Sequence, residues 1–388
     1  MTSPAHINIP SSIFIGAGAI DQVGPEVKRF GVNRLLIVSD PFMAKTDHLE
    51  HILQALQAEG IESITYGDVT PDPTDGNVLE GVALLKEHQC NGVLAFGGGS
   101  SIDAAKGIAV MATNSGHLSD YMGYNLIPKK GIPLFAIPTT AGTGSEMTRV
   151  TVITDTSRHV KMMILDPHLV PAAAFVDYYT LTFTMPKPLT AHVGVDTLTH
   201  GLEAYVSQKA NAMTDAFAMS CIHQVGQHLQ RAWHHPDDAV AREGMMLAAS
   251  HGGMAFANSS VCLVHGMSRP LGAMFHLPHG LSNAILLPAV TRYSVSSAQE
   301  RYSTVAKTLG WAEVTETEQI ACDKLVSGLE ALNASVEIPR LRDCDISEEN
   351  LMSALDKMAE DALASGSPQN NPRVPTLEDI KKLYLEAY

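Results

Sequence analysis

Basic residues and cysteines are scarce in this chain of 388 residues. Its 26 Lys and Arg stand against 41 Asp and Glu, and the formal net charge is −15 at pH 7. Because such a surface repels phosphodiester backbones and anionic lipid headgroups, we expect neither nucleic acid nor a membrane as a partner. The five cysteines are odd in number and include no Cys-x-x-Cys, which argues against a disulfide framework and against a thiolate zinc site. A reducing cytoplasm is the expected location.

Signals for export and for membrane insertion are also missing. No basic segment precedes an apolar one near the amino terminus, so we expect no export signal. The longest stretch without charge, residues 244–268, is broken by His, Asn and Ser and is rich in Gly and Ala, which favours buried helix and turn over a membrane span. The chain is 45% hydrophobic, enough to bury a core, and its length predicts two domains.

Two different periodicities divide the chain. Between residues 33 and 153, short apolar or β-branched runs alternate with amphipathic stretches, which is the pattern of parallel strands joined by helices. The right-handed crossover rule folds such units into an open, doubly wound, Rossmann-like sheet. The predicted strands are 34–40, 62–67, 92–99 and 133–140, and the predicted helices are 48–60, 77–90 and 101–114.

From residue 188 onward, helical spacing dominates and no alternating strand is expected. The segment 184–190 contains two prolines that break regular structure and mark a boundary. We therefore expect an α/β, doubly wound, Rossmann-like domain over residues 1–185 and an all-α domain over residues 186–388. The predicted helices of the second domain are 189–208, 212–232, 237–257, 297–309, 315–333, 348–365 and 376–387.

A glycine-rich turn follows the third predicted strand. In AFGGGSSIDAAK (95–106), a buried strand ends in three glycines and passes directly into a helix. Glycines let a ligand approach the backbone, and a helix start offers unpaired N–H groups, so a pyrophosphate fits there. A tight turn with a serine helix cap is the alternative. The candidate phosphate contacts are Gly97, Gly98, Gly99, Ser100 and Asp103.

A second loop, PTTAGTGSE (138–146), follows the fourth predicted strand with four hydroxyl side chains and two glycines. Ligands of open α/β sheets bind at the carboxyl ends of strands, so two such loops indicate one shared ligand. By contrast, GAGAI (16–20) lacks a third glycine, and we expect a plain turn there. The candidate contacts of the second loop are Thr139, Thr140, Gly142, Thr143 and Ser145.

Asp40 ends the first predicted strand of the sheet. A carboxylate at that place can accept both hydroxyls of an adenosine ribose and repel a 2′-phosphate, which would favour NAD over NADP. A cap for the turn that begins at Pro41 is an equal alternative.

Histidine forms the sharpest pattern of the helical half. Asp196 and His200 stand four apart on a predicted helix, so they share one face and can grip one cation. His265 and His279 lie in an apolar, nearly uncharged segment, where neutral imidazoles need a partner. One carboxylate and three imidazoles suit Fe²⁺, Zn²⁺ or another late divalent metal and exclude Ca²⁺ and Mg²⁺. Buried histidines bonded to backbone carbonyls are the competing interpretation, and His276 or His251 are equally plausible members of the set.

These motifs resemble the iron-dependent group III alcohol dehydrogenases, a family that includes lactaldehyde/propanediol oxidoreductases and related small-aldehyde reductases. The resemblance covers nearly the whole chain. It implies a dehydroquinate synthase-like architecture and a homodimer. It rests on GGGSSIDAAK, IPTTAGTGSE, a lone Lys161 ahead of LDP, TMPKPLTAHVGVDTLTHGLEAY and the VHGM…PLG…PHG segment.

The resemblance also assigns roles to single residues. It implies that the Asp/His set just described holds a catalytic divalent metal, usually Fe²⁺, with Zn²⁺, Mn²⁺ or Ni²⁺ as alternatives. It adds Lys161 and Leu181 to an NAD site formed with Asp40 and the two loops. The implied reaction is reversible hydride transfer between NAD(H) and the carbonyl carbon of a small aldehyde, whose product is a small primary alcohol or diol.

One position departs from the family pattern. Members commonly show His-x-x-x-His in this segment, whereas Arg269 occupies the second position here. A guanidinium stays protonated and cannot act as an ordinary acid or base. Arg269 therefore either clamps an anionic group of the substrate, which would make the protein a reductase of a carboxylate- or sulfonate-bearing aldehyde, or pairs with an acidic residue at the domain edge.

Two further functions compete on the sequence alone. A dehydroquinate synthase-like lyase would retain its NAD and would need a basic patch for a phosphorylated polyhydroxy acid, and no such Lys/Arg cluster is visible near the predicted sites. A non-catalytic metal or nucleotide binder would bind without turnover.

Overall fold

The computed structural model describes residues 4–158 and 160–388, without the side chains of residues 179 and 180. The chain divides into two compact units, His6–Thr184 and a unit that contains Met185–Tyr388. The elements of the first unit are, in chain order, β1 (Ser12–Ile15), α1 (Val23–Arg29), β2 (Arg34–Val38), α2 (Asp47–Ala58), β3 (Glu62–Tyr66), α3 (Asp75–Glu87), β4 (Gly92–Gly97), α4 (Gly99–Met111), β5 (Gly123–Tyr124), β6 (Leu134–Pro138), β7 (Val150–Asp155), β8 (Val160–Leu165), β9 (Ala173–Val176) and α5 (Tyr178–Leu181).

The first unit is built on a parallel sheet with the strand order β1-β9-β6-β4-β2-β3. Side chains of successive strand residues point to opposite faces, and each face carries its own apolar core. Leu36 and Val38 of β2 pack with buried residues of α3 and α4, while Leu35 and Ile37 pack with those of α1 and α2. Helices thus cover both faces, and the predicted doubly wound fold is confirmed.

A smaller sheet accompanies the main one, with the strand order β5-β8-β7 and β7 antiparallel to β8. The sequence pattern did not predict the three strands of this smaller sheet. It also did not predict the edge strand β1 of the main sheet or its neighbour β9. Runs as short as the four residues of β1 and of β9 carry too little pattern to be told from loops.

The second unit is helical, and none of its described residues forms a strand, as predicted. Within the described ranges no helix combines the length and the apolar character that crossing a bilayer requires. The helices are α6 (Lys187–Val206), α7 (Ala212–His234), α8 (Ala239–Asn258), α9 (Leu263–Phe275), α10 (His279–Ser294), α11 (Gln299–Thr308), α12 (Glu318–Ser335), α13 (Glu348–Ala364) and α14 (Leu377–Ala387).

The helices α9 and α10 were not predicted, although they carry two of the candidate ligands. Pro270 lies inside α9 and interrupts its pattern. Pro288 lies inside α10, which is buried along most of its length, so its apolar residues show no one-sided spacing.

Candidate functional site

The two predicted loops of the first unit start side by side. Gly97 at the end of β4 pairs with Pro138 at the end of β6, and the backbone N–H of Thr139 donates to the carbonyl of Gly97 at 3.0 Å. The glycine turn and the hydroxyl loop therefore meet at one edge of the sheet, where open α/β sheets bind their ligands.

Close packing between these loops requires glycine. A Cβ at Gly99 would lie 2.7 Å from Cγ2 of Thr143, and one at Gly98 would lie 3.2 Å from Cγ2 of Thr140. Gly97 has a φ of +155°, and a Cβ there would lie 2.4 Å from Oγ of Ser101. Because the cap residue of α4, Gly98, has no side chain, the N–H groups of the first turn are left to bind an anion.

The predicted loop residues divide by their exposure. Thr139, Gly142 and Ser145 are buried in the interior of the loop. Those that present partly exposed surface, on which a nucleotide can lie, are Gly98, Gly99, Ser100, Thr140 and Thr143.

Asp40 has the position that both sequence interpretations require. Its Oδ1 accepts the backbone N–H groups of Phe42 and Met43 at 2.9 and 3.0 Å, so it caps the following turn. Its Oδ2 faces the glycine turn, since a Cβ at Gly97 would lie 3.2 Å from this oxygen. The cap is present, and the ribose contact of Asp40 stays a prediction.

A buried Asp/Lys pair on α4 holds the hydroxyl loop from behind. Lys106 is fully buried, and its Nζ donates to the carbonyls of Ser145 and Val150, both at 2.7 Å, and to Oγ1 of Thr148 at 2.9 Å. Asp103 accepts from Oγ of Ser145 at 2.7 Å. Burial lowers the pKa of Lys106 to about 8, against the opposing effect of Asp103, and burial raises the pKa of Asp103.

Three residues predicted to line the NAD site have partners inside the protein. Oδ2 of Asp103 accepts the backbone N–H of Val152 at 2.8 Å, so both carboxylate oxygens hold the loop, and its cofactor contact stays a prediction. The side chain of Leu181 is completely buried in an apolar core, which leaves only its backbone for the predicted contact. Nζ of Lys161 pairs with Asp72 at 2.7 Å, and its cofactor contact stays a prediction.

The second unit brings the four predicted metal ligands together. Ligand atoms of Asp196, His265 and His279 all lie within 4.8 Å of one another. Nε2 of His200 lies 3.8 Å from Oδ1 of Asp196, and Nε2 of His265 lies 3.7 Å from the same oxygen. Three of these side chains are buried, and His279, the first residue of α10, is exposed.

The charge states of these groups fit a divalent metal. Burial raises the pKa of Asp196, but the three histidine rings and the amide of Asn283 bring it below its usual value. Burial and the neighbouring ring of His200 hold the pKa of His265 well below its usual range. Nδ1 of His200 is buried without a hydrogen-bond partner among the described residues. An ionised carboxylate beside neutral imidazoles is the form in which these side chains bind metals, so Fe²⁺ is a suitable occupant.

Glu203, which the sequence pattern did not single out, orients His265. It lies three residues after His200 on α6, a spacing that places both on one helix face and was the available signal. Its Oε2 lies 2.7 Å from Nδ1 of His265, and its carboxylate also accepts the backbone N–H groups of Cys262 and Val264 at 2.8 and 2.6 Å. Burial raises the pKa of Glu203 to about 7. Because Nδ1 is held by Glu203, Nε2 is the atom that faces the ligand set.

Arg269 lies on α9, one turn after His265, and is half-buried. One of its hydrogen bonds runs from Nη1 to Oγ of Ser367 at 3.0 Å. Its charge helps to lower the pKa of His265, after burial and the ring of His200. Neither sequence interpretation of Arg269, the anion clamp or the acidic partner, is decided by this contact.

A doubly wound sheet with a glycine turn and a hydroxyl loop at its carboxyl edge, joined to a helical unit with an Asp/His₃ set, fits a protein that binds a dinucleotide and a late divalent metal. Comparison with known proteins agrees. Residues 10–178 match the family model for iron-containing alcohol dehydrogenase, and residues 190–388 match that for the Fe-containing alcohol dehydrogenase family, C-terminal. The chain belongs to the iron-containing alcohol dehydrogenase family, and it is an oxidoreductase.

Individual relatives are similar over their full length. The chain is 36% identical to the NAD-dependent methanol dehydrogenase of Bacillus methanolicus, over 98% of either chain. It is 36% identical to the lactaldehyde reductase of Escherichia coli K12, over 97% of either chain. Among solved structures, that of a 1,3-propanediol oxidoreductase superposes with a TM-score of 0.96 at 34% identity and covers both chains completely.

Replacing Lys106 by Met tests the role of the buried pair. Methionine keeps the chain length but donates no hydrogen bond, so the backbone carbonyls of Ser145 and Val150 lose their donor. We expect the free energy of unfolding to fall by about 2–5 kcal/mol in urea titration. The exposed Lys86→Met on α3 is the matched control, with an expected change within about 0.5 kcal/mol. Equal stability of both variants would contradict this role.

Replacing Glu203 by Gln tests the orientation of His265. The amide has a single acceptor oxygen, so its NH₂ group must face one of the three N–H donors that the carboxylate now accepts. We expect the affinity for Co²⁺ or Zn²⁺, measured by chelator competition, to fall about 10–100-fold. Glu243→Gln, an exposed position on α8, is the control. If both variants bind the metal as tightly as the parent protein, Glu203 does not orient the ligand.

Proposed function

We propose that this protein is an NAD(H)-linked dehydrogenase that interconverts a small primary alcohol or diol and its aldehyde by hydride transfer, with Fe²⁺ as its metal. The convergence of one carboxylate and three imidazoles, in a chain of the iron-containing alcohol dehydrogenase family, carries this proposal. The relatives support small substrates, because they act on methanol, lactaldehyde or 1,3-propanediol by name.

The proposal assigns NAD binding to residues 1–185 and metal binding to residues 186–388. The glycine turn and the hydroxyl loop would bind the pyrophosphate through the first N–H groups of α4 and the hydroxyls of Thr140 and Thr143. Asp40 would accept the ribose hydroxyls and exclude a 2′-phosphate. The family resemblance supports a homodimer, and the odd, widely spaced cysteines support a reducing, cytoplasmic location.

In the second unit, the Asp/His₃ set would hold the metal, which supplies a Lewis acid to the substrate oxygen. The set contributes only one negative charge, that of Asp196, so it does not cancel the charge of a divalent ion. Glu203 keeps the ring of His265 in the binding orientation. Since the guanidinium of Arg269 stays protonated, we assign proton exchange to the nicotinamide ribose and water.

The test is aldehyde-dependent oxidation of NADH, followed by absorbance, with chelator-stripped enzyme reloaded anaerobically with Fe²⁺, Zn²⁺, Mn²⁺ or Ni²⁺. We expect Fe²⁺ to restore turnover of short neutral aldehydes and NADPH to be a poorer donor than NADH. Net NADH oxidation that does not depend on added aldehyde would contradict the proposal, and redox-neutral turnover with retained NAD would favour the lyase.

Replacing one predicted ligand, Asp196, tests whether the Asp/His₃ set is the metal site. Asp196→Asn keeps the size of the side chain but removes the only negative charge of the ligand set, so we expect kcat to fall by about two orders of magnitude or more. His276→Asn is the control, because this histidine is exposed and asparagine tolerates its φ of 55°. Full activity of the Asp196 variant would show that the set is not the metal site.

Replacing Arg269 tests whether this residue selects between neutral and anionic aldehydes. Its guanidinium is already bonded to Ser367, so we expect Arg269→His to leave the ratio of kcat/KM for a neutral and a carboxylate-bearing aldehyde of equal length within about threefold. Arg269→Lys, which keeps the charge, is the control. A selective loss of the anionic substrate in the histidine variant would favour the anion clamp instead.

A further inference from the structure

Two buried histidines of the predicted ligand set are held in different ways. Nδ1 of His265 lies 2.7 Å from the carboxylate of Glu203, whereas Nδ1 of His200 is buried without a hydrogen-bond partner among the described residues. A histidine that binds a metal through Nε2 usually has its orientation fixed by a hydrogen bond at the other ring nitrogen. Another kind of contact must therefore fix the ring of His200.

The ring of His200 stacks on Phe256 of α8. The centroids of the two rings lie 4.4 Å apart and their planes differ by 26°, so the rings face each other. Stacked rings at this spacing attract each other, and the attraction depends on the relative orientation of their planes. Stacking uses the ring faces, whereas the lone pair of Nε2 lies in the plane of the ring. The stack and a bound ion can therefore coexist.

The packing of α8 against α6 places Phe256 at this ring. Gly252 lies one turn before Phe256, and a Cβ at Gly252 would lie 3.3 Å from Cβ of His200 and 3.2 Å from Sγ of Cys221. The missing side chain of Gly252 thus lets α8 approach α6 closely at His200. Because residues four apart share a helix face, Phe256 lies on the same side of α8 as Gly252.

We propose that Phe256 is a positioning residue of the metal centre, whose ring holds the imidazole of His200 in the orientation in which Nε2 can bind the ion. For His200, stacking takes the place of the hydrogen bond that Glu203 forms with His265. This inference rests on the proposed metal site. It goes beyond that site because it assigns a role to a residue that is not a ligand, on a helix that supplies none of the predicted ligands.

Phe217 of α7 offers a matched comparison. Phe217 and Phe256 are both partly buried, and they pack against one small apolar cluster, which consists of Ala204, Ala218 and Ala255. The ring of Phe217 lies 5.9 Å from that of His251, which is outside the predicted ligand set. Loss of either phenylalanine removes packing from the same cluster, and loss of Phe256 also removes the stack on His200.

The test uses the full chain, stripped with chelator and titrated with Co²⁺ against a competing chelator. For Phe256→Leu we expect an affinity about three- to tenfold weaker and a changed d–d absorption spectrum, because the ring of His200 is then free to turn. Phe256→Tyr keeps the plane of the ring, so we expect parental affinity and spectrum. For Phe217→Leu we expect a fall in Tm similar to that of Phe256→Leu, with affinity and spectrum unchanged.

Three results would overturn the inference. In the first, Phe256→Leu binds Co²⁺ with parental affinity and spectrum. In the second, Phe256→Tyr binds Co²⁺ as weakly as Phe256→Leu does, so that the stacked ring is not what matters. In the third, Phe217→Leu weakens the affinity and changes the spectrum to the same extent, because a general loosening of the helices would then explain both variants.

The proposed metal site can fail separately. If Asp196→Asn binds Co²⁺ with parental affinity, the site itself is wrong. If the Asp196 variant loses the metal while Phe256→Leu binds it as the parent protein does, the site stands and Phe256 does not position it.

Discussion

The helical unit is organised by the burial of one carboxylate among three imidazoles. Asp196 is 2% exposed, and transferring an ionised carboxylate from water into such a place is costly unless opposite charge or hydrogen-bond donors surround it. The three histidine rings lower the pKa of this carboxyl group, and the amide of Asn283 donates to it at 2.6 Å. A divalent cation at the proposed site would compensate the charge further and would be bound by the nitrogen lone pairs that converge there.

The same centre links α6 to α9 and α10, which lie more than 50 residues later in the sequence. Asp196, His200 and Glu203 share one face of α6, and the carboxylate of Glu203 accepts the N–H groups at the start of α9, whose cap residue, Cys262, offers no side-chain acceptor. The carboxylate of Glu203 therefore caps the first turn of the helix that carries His265, and it also fixes the orientation of the ring of that histidine. The geometry of the ligand set and the folding of α9 depend on the same contact.

Only part of this site could be predicted from the sequence. Helical periodicity places Asp196 and His200 on one helix face. The change from an apolar strand to glycine or hydroxyl residues identifies both loops at the sheet edge. Both signals could be read because each lies within a few residues of sequence. The contacts that Glu203, Asn283 and Asp103 make with distant segments could not be read in this way, because the residues they join lie 18 to 87 positions apart. The spacing of Glu203 from His200 gave a local signal, but not the contact with His265. For Asp103 the sequence left the contacts open, since a carboxylate in the first turns of a helix looks the same whether it faces a nucleotide or a loop of its own protein.

In both units, a buried charged side chain forms hydrogen bonds with backbone groups. Glu203 in the helical unit accepts two backbone N–H groups, and Lys106 in the α/β unit donates to two backbone carbonyls. A salt bridge between flexible side chains would leave the loops free to move, whereas a charge bonded to backbone fixes the path of the segment it touches. The start of α9 and the hydroxyl loop are thus positioned by Glu203 and Lys106, whose hydrogen bonds go to backbone groups of those segments.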